Sequence, residues 1–133
     1  MLAEIFAAPP CVADLLPEQA AIVRATRHWV AAQRRPGICP LAAAAAHLGG
    51  PEAARALHCL LANVGAAWPE PVAIAPPCCA TLTHDEATMI GMIVAARHHG
   101  RPVFDALLCD MLGMDARDRL FVAAETLGQI IGD

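Results

Sequence analysis

Two adjacent cysteines, Cys78 and Cys79, follow a proline-stiffened stretch and precede a helix start in Ala75-Pro76-Pro77-Cys78-Cys79-Ala80-Thr81-Leu82-Thr83-His84-Asp85-Glu86. A thiol near a helix N-terminus has a lowered pKa, because free N–H groups and the helix dipole stabilise the thiolate. Thiolate is the form that binds soft metals or attacks an electrophile. Neighbouring cysteines do not bridge each other without strain, since a disulfide needs its Cα atoms further apart. The pair therefore suits a transition metal such as zinc, or thiol chemistry, with one thiol able to point in and the other out. If metal is bound, Cys78 and Cys79 are the expected ligands, with His84 next, in the first turn of the helix they precede. No C-x-x-C or H-x₃-H spacing supports a zinc site. Further ligands would have to converge from Cys39, His58, Cys59 and Cys109 on separate elements. The competing reading is plain packing, because cysteine is commonly a small buried hydrophobe.

The remaining chemistry-bearing residues have simpler readings. His98 and His99 are helical neighbours pointing about 100° apart, so they do not chelate one ion; they suit the negative end of a helix dipole, as does His47. His58, on an apolar helix, reads as a hydrogen-bonded core histidine, and His28, among arginines, as exposed. Asp85 and Glu86 belong to a helix cap, while Asp105 and Asp110 are five apart and do not share a helical face. No G-x-S-x-G, H-E-x-x-H, Walker-type or dinucleotide-binding glycine pattern occurs. The residues favour a non-enzymatic protein.

The elements that position these residues are helices separated by proline and glycine. Pro17 and Glu18 open the first, which runs through Ile22, Val23, Ala25, Trp29, Val30 and Gln33 and stops at Pro36-Gly37. Arg24, Arg27, Arg34 and Arg35 are assigned to its wet side. Pro40 opens an alanine helix from Leu41 to Leu48, closed by Gly49-Gly50. Pro51-Glu52 start a third, with Ala54, Leu57, Leu61 and Val64 on one face and Gly65 ending it. Residues 66–83 carry four prolines with Val72 and Ile74, which excludes helix and predicts an extended, partly buried loop. Thr83 and Glu86 form a capping-box pattern for a helix ending at His98-His99-Gly100. Pro102 begins another, through Val103, Phe104, Leu107, Leu108, Met111 and Leu112. Asp115 is read as the cap of the last, with Leu120, Phe121, Ala124, Leu127, Ile130 and Ile131 apolar. The fold predicted is a compact all-α bundle of five or six short helices, with the Cys-Cys loop between the third and fourth.

At 133 residues and 13.9 kDa the chain is one domain, 1–133. Folding can bury about two-thirds of its unfolded surface, enough for a self-sufficient core. Hydrophobic residues are 57% and charged ones 17%, which excludes disorder. The mean hydropathy of +0.48 is largely alanine, and no long apolar window lacks a charge, Pro or Gly, so no membrane span is expected. A net charge of −4 argues against nucleic acid as a partner. The opening MLAEIFAAPPC has no positive n-region, which points to the cytoplasm and to reduced thiols. An apolar last helix ending in Ile130-Ile131 needs cover, from its own bundle or from a second copy; a homodimer is the expectation. The alternative class is a helix-turn-helix-like DNA-binding regulator using residues 42–64, although its second helix carries a single arginine, Arg55, and an αα-hairpin explains the pattern.

The A-P-x-C-C-x-x-x-T-x-[DE]-E pattern of Ala75 to Glu86 resembles a segment of a group of short uncharacterised bacterial all-α proteins. The resemblance implies an arginine-bearing first helix, a short Ala/Leu helical pair, the Pro-Cys-Cys segment and an alanine-rich C-terminal half, over about Pro17 to Leu127. In that group a third cysteine follows the proline, where this chain has Pro77, a departure that weakens any three-thiolate site. No activity carries over. The function expected is a small helical domain whose Cys78-Cys79 loop binds a metal or senses thiol chemistry.

Overall fold

The computed structural model describes residues 10–132. The reading of the opening residues as lacking an export signal falls mainly on residues 1–9, outside that range. Six α-helices and no strand occur among the described residues. They are α1 (Pro17–Gln33), α2 (Pro40–Leu48), α3 (Pro51–Ala67), α4 (His84–Val94), α5 (Arg101–Leu108) and α6 (Met114–Gly132). A single turn of 3₁₀-helix, Val12–Asp14, precedes α1, and a π-helical turn, Ala95–His99, continues α4. No helix among the described residues is long and apolar enough to cross a membrane.

Proline stands at the start of α1, α2, α3 and α5, where its missing N–H costs no helical bond. The left-handed Gly49 (φ 80°) ends α2, a conformation glycine adopts without strain. Three boundaries differ from the sequence reading. Helix α3 runs through Gly65 to Ala67, α5 stops at Leu108, and α6 starts at Met114, which puts Asp115 inside its first turn and not at its cap. An isolated glycine weakens a helix by only about 1 kcal/mol, so packing on both sides of Gly65 carries α3 past it.

The core is one cluster built from every helix. Ile22, Val23 and Trp29 of α1 meet Leu57, Leu60 and Val64 of α3, Met92 and Ile93 of α4, Phe104 of α5, and Leu120 and Leu127 of α6. Phe104 lies edge-on to Phe121 at 5.2 Å between ring centroids. Arg101 stacks its guanidinium over Phe121 and pairs with Asp105 and Asp118, tying α5 to α6. Ile130 and Ile131 are half-buried against this same core. The bundle therefore covers part of the apolar end of α6. Residues 68–83 form the expected non-helical loop, with Val72 and Ile74 laid on the core.

Candidate functional site

The loop that carries the cysteines is fastened to the bundle by one buried ion pair. Arg27 comes from the middle of α1 and Glu86 from the first turn of α4, and their side chains are 1% and 2% exposed. Arg27 Nε donates to Glu86 Oε2 at 2.8 Å and Nη2 to Oε1 at 3.0 Å, a two-point pairing of planar groups. The guanidinium then reaches the loop: Nη1 donates to the Cys79 carbonyl at 2.6 Å and Nη2 to the Thr81 carbonyl at 2.9 Å. The Ala80 carbonyl, between them, accepts from the Val12 N–H at 2.8 Å, and the Leu82 N–H donates to the Pro10 carbonyl at 2.9 Å. Successive carbonyls of an extended segment point to opposite sides, so arginine takes one side and the N-terminal segment the other. Cys11 and Thr81 are directly opposed in this short antiparallel bridge.

Glu86 is saturated as an acceptor. Besides Arg27, its Oε1 accepts from the Thr83 N–H at 2.9 Å and its Oε2 from the Ala75 N–H at 3.3 Å. The reciprocal half of the capping box is also formed, Glu86 N–H to Thr83 Oγ1 at 3.0 Å, while the Thr83 hydroxyl donates to the Ala73 carbonyl at 2.6 Å. Asp85 accepts from the Ala73 N–H at 2.7 Å and from the Trp68 indole at 3.3 Å. One helix cap thus holds both the entry and the exit of the loop. Among the described residues no buried side-chain N or O atom lacks a partner. Burial pushes the Glu86 carboxyl up, but the hydrogen bond and charge of Arg27 and the Thr83 N–H outweigh it and hold it below the usual carboxylate range. The hydrogen bond from Arg27 to Glu86, opposed by burial, raises the arginine above its ordinary value.

Arg27 corrects the sequence reading. Arg24, Arg34 and Arg35 are exposed, but Arg27 is buried. Its position carried the signal, since it falls four residues after Val23 and seven after Ala20, on the stripe that faces the core.

Cys78 is exposed and Cys79 half-buried. The turn that presents them closes with the Cys79 N–H on the Pro76 carbonyl at 3.1 Å. The Cys79 sulfur lies 3.4 Å from the Thr81 carbonyl and 3.7 Å from its hydroxyl. As a thiol it donates to the carbonyl; as a thiolate it can accept from the hydroxyl. Hydrogen bonds with the Thr81 backbone and side chain lower its pKa, helped by the Arg27 charge and opposed by burial and by Glu86.

The other predicted donors do not gather here. Cys39, Cys59, Cys109 and His84 are exposed, and His58, exposed as well, accepts at Nδ1 from the Trp29 indole at 3.1 Å. Among the described residues no three His, Cys, Asp or Glu side chains form a group that could hold a metal ion, the trio Cys78, Cys79 and His84 included. The expectation that most cysteines pack as small hydrophobes is overturned, because none of the six is buried. They occupy caps, loops and outward helix positions: Cys39 caps α2, Cys59 lies on the outer face of α3, and Cys109 follows the end of α5.

Two features escaped the sequence reading. His28 of α1 and His47 of α2 are half-buried and stacked, with ring centroids 4.3 Å apart and planes at 19°. Burial, then the charges of His28 and Arg24, lower the His47 pKa. A groove of about 510 Å³ opens between α3 and α6, lined by Cys59, Asn63, Asp118, Val122 and Thr126 among others, and no loop residue lines it. In the α2–α3 hairpin, the polar residues that α3 exposes are Glu52, Arg55, His58 and Cys59, a single cation among them apart from the histidine. The chain matches no protein-family model, no curated protein and no solved structure.

Proposed function

We propose that this protein is a small thiol-reactive helical domain in which the Cys78-Cys79 loop exchanges with disulfides and so registers the thiol state of its surroundings. The observation that carries the reading is the Arg27–Glu86 clamp on the Cys79 and Thr81 carbonyls. A buried ion pair contributes little net stability compared with apolar packing, so its value lies in the geometry that it fixes. Here that geometry is a turn with one thiol exposed and the other beside the Thr81 hydroxyl, with a lowered pKa. Attack by the Cys79 thiolate on R–S–S–R forms a Cys79–S–S–R bond and breaks the original one. The leaving RS⁻ takes the electron pair and gains the proton that the thiol gave up, so one disulfide is consumed and one thiol released. A second thiol reverses the step. The metal reading on Cys78, Cys79 and His84 has less support, as among the described residues these three do not form a group that could hold an ion.

Incubating the reduced protein with a neutral disulfide such as 2-hydroxyethyl disulfide near pH 7, then mapping the adduct by peptide mass spectrometry, tests this. The expected result is a single fast adduct on the Cys78-Cys79 peptide that is lost in Cys79→Ser. Equal, slow labelling of all six cysteines would overturn it.

A further inference from the structure

A cavity of about 230 Å³ adjoins the thiol loop, walled by His28, Ala32 and Arg35 of the first helix and its end, by Ile38 and Ala43, and by Pro77 of the loop itself. Pro77 directly precedes the exposed Cys78, so the thiol loop itself forms one wall of the cavity. The polar groups of the lining are cationic or hydrogen-bond-donating, and among the described residues no Asp or Glu lines it. The Arg35 side chain has no hydrogen bond or ion pair within the described structure, and it is exposed toward solvent. Its fork is therefore available to a carboxylate or similar anion. His28 is kept in place by its stack on His47, and even as a neutral ring it offers one N–H. The apolar remainder, Ala32, Ile38, Ala43 and Pro77, suits a short hydrocarbon spacer.

We propose that this cavity selects the partner of the loop thiols, and that the preferred partner is a small anionic disulfide whose acid group sits on Arg35 and His28. The inference rests on the thiol-exchange reading above and adds the chemical class of its substrate. The reaction is the balanced exchange already written: the loop thiolate takes one sulfur of the disulfide, and the other half leaves as an anionic thiol.

Three disulfides of similar size and different charge separate the possibilities: 3,3′-dithiodipropionate, 2-hydroxyethyl disulfide and cystamine. The initial rate of adduct formation on the Cys78-Cys79 peptide is measured for each at low salt. The anionic compound is expected to react about tenfold faster than the neutral one, and cystamine slowest, with the spread shrinking as salt rises. Arg35→Gln should abolish the preference for the anionic disulfide over the neutral one, and Arg35→Lys should keep part of it. Reaction with the neutral disulfide but no preference for the anion, or a preference that survives Arg35→Gln, overturns the assignment of the cavity and leaves thiol exchange standing. Absence of reaction with all three disulfides overturns both.

Discussion

Arg27 and Glu86 bury opposite charges so completely that each depends on the other. Removing one leaves an unpaired buried charge, a loss of about 3–5 kcal/mol, whereas replacing both with apolar groups is far less costly. Arg27→Met is therefore expected to lower stability in denaturant titrations by roughly that amount. Arg27→Met combined with Glu86→Leu should recover part of the loss, and additive effects would contradict direct pairing. Acid acts on the same residue. The folded pKa of Glu86 is lowered, so its contribution is present above the unfolded value of about 4.3 and disappears as pH falls from there through the folded value. His47, also lowered, contributes above about pH 6.5 and loses that contribution on acidification. Thermal midpoints should thus decline in two stages, a shallow one below about pH 6.5 that is absent in His47→Gln and a steeper one below about pH 4.3. The residue scale is also where sequence reading fell shortest. Arginine is so seldom fully buried that the charge of Arg27 masks its place on the apolar stripe, beside three arginines that are exposed.

Helices were legible for a different reason: their boundaries are written in residues whose backbone chemistry is local. Proline at the first position of four helices, glycine after α2 and the Thr83–Glu86 box each act within four residues of themselves. Contacts between helices leave no such mark, which is why the His28–His47 stack and the exposure of Cys39, Cys59, Cys78 and Cys109 are not legible in the sequence. Glycines inside helices divide along the same line. At Gly128 of α6 an added Cβ would meet Arg97 Cβ at 3.3 Å and Ile93 Cγ2 at 3.6 Å, so this glycine lets α6 lie close on α4 and its π turn. At Gly65 of α3 nothing lies within 4 Å of that position. Gly128→Val is expected to cost about 1–3 kcal/mol through overpacking, and Gly65→Ala to gain about 0.4–1 kcal/mol, both read from chemical denaturation. A gain at Gly128 would show that the two helices are not in tight contact.

At the scale of the whole molecule, six helices close one core and leave the segment between α3 and α4 as the part that cannot pack as helix. Four prolines keep it extended, and the cap of α4, the arginine of α1 and the N-terminal bridge hold it from three directions. That arrangement holds two thiols on a connecting loop, and it gives Cys79 a lowered pKa. The direct test is the alkylation rate of each cysteine as a function of pH, read by peptide mass spectrometry on the native protein. Cys79 is predicted to gain reactivity with a midpoint below the ordinary thiol value of about 8.5. A Cys79 midpoint at or above that ordinary value would contradict the account.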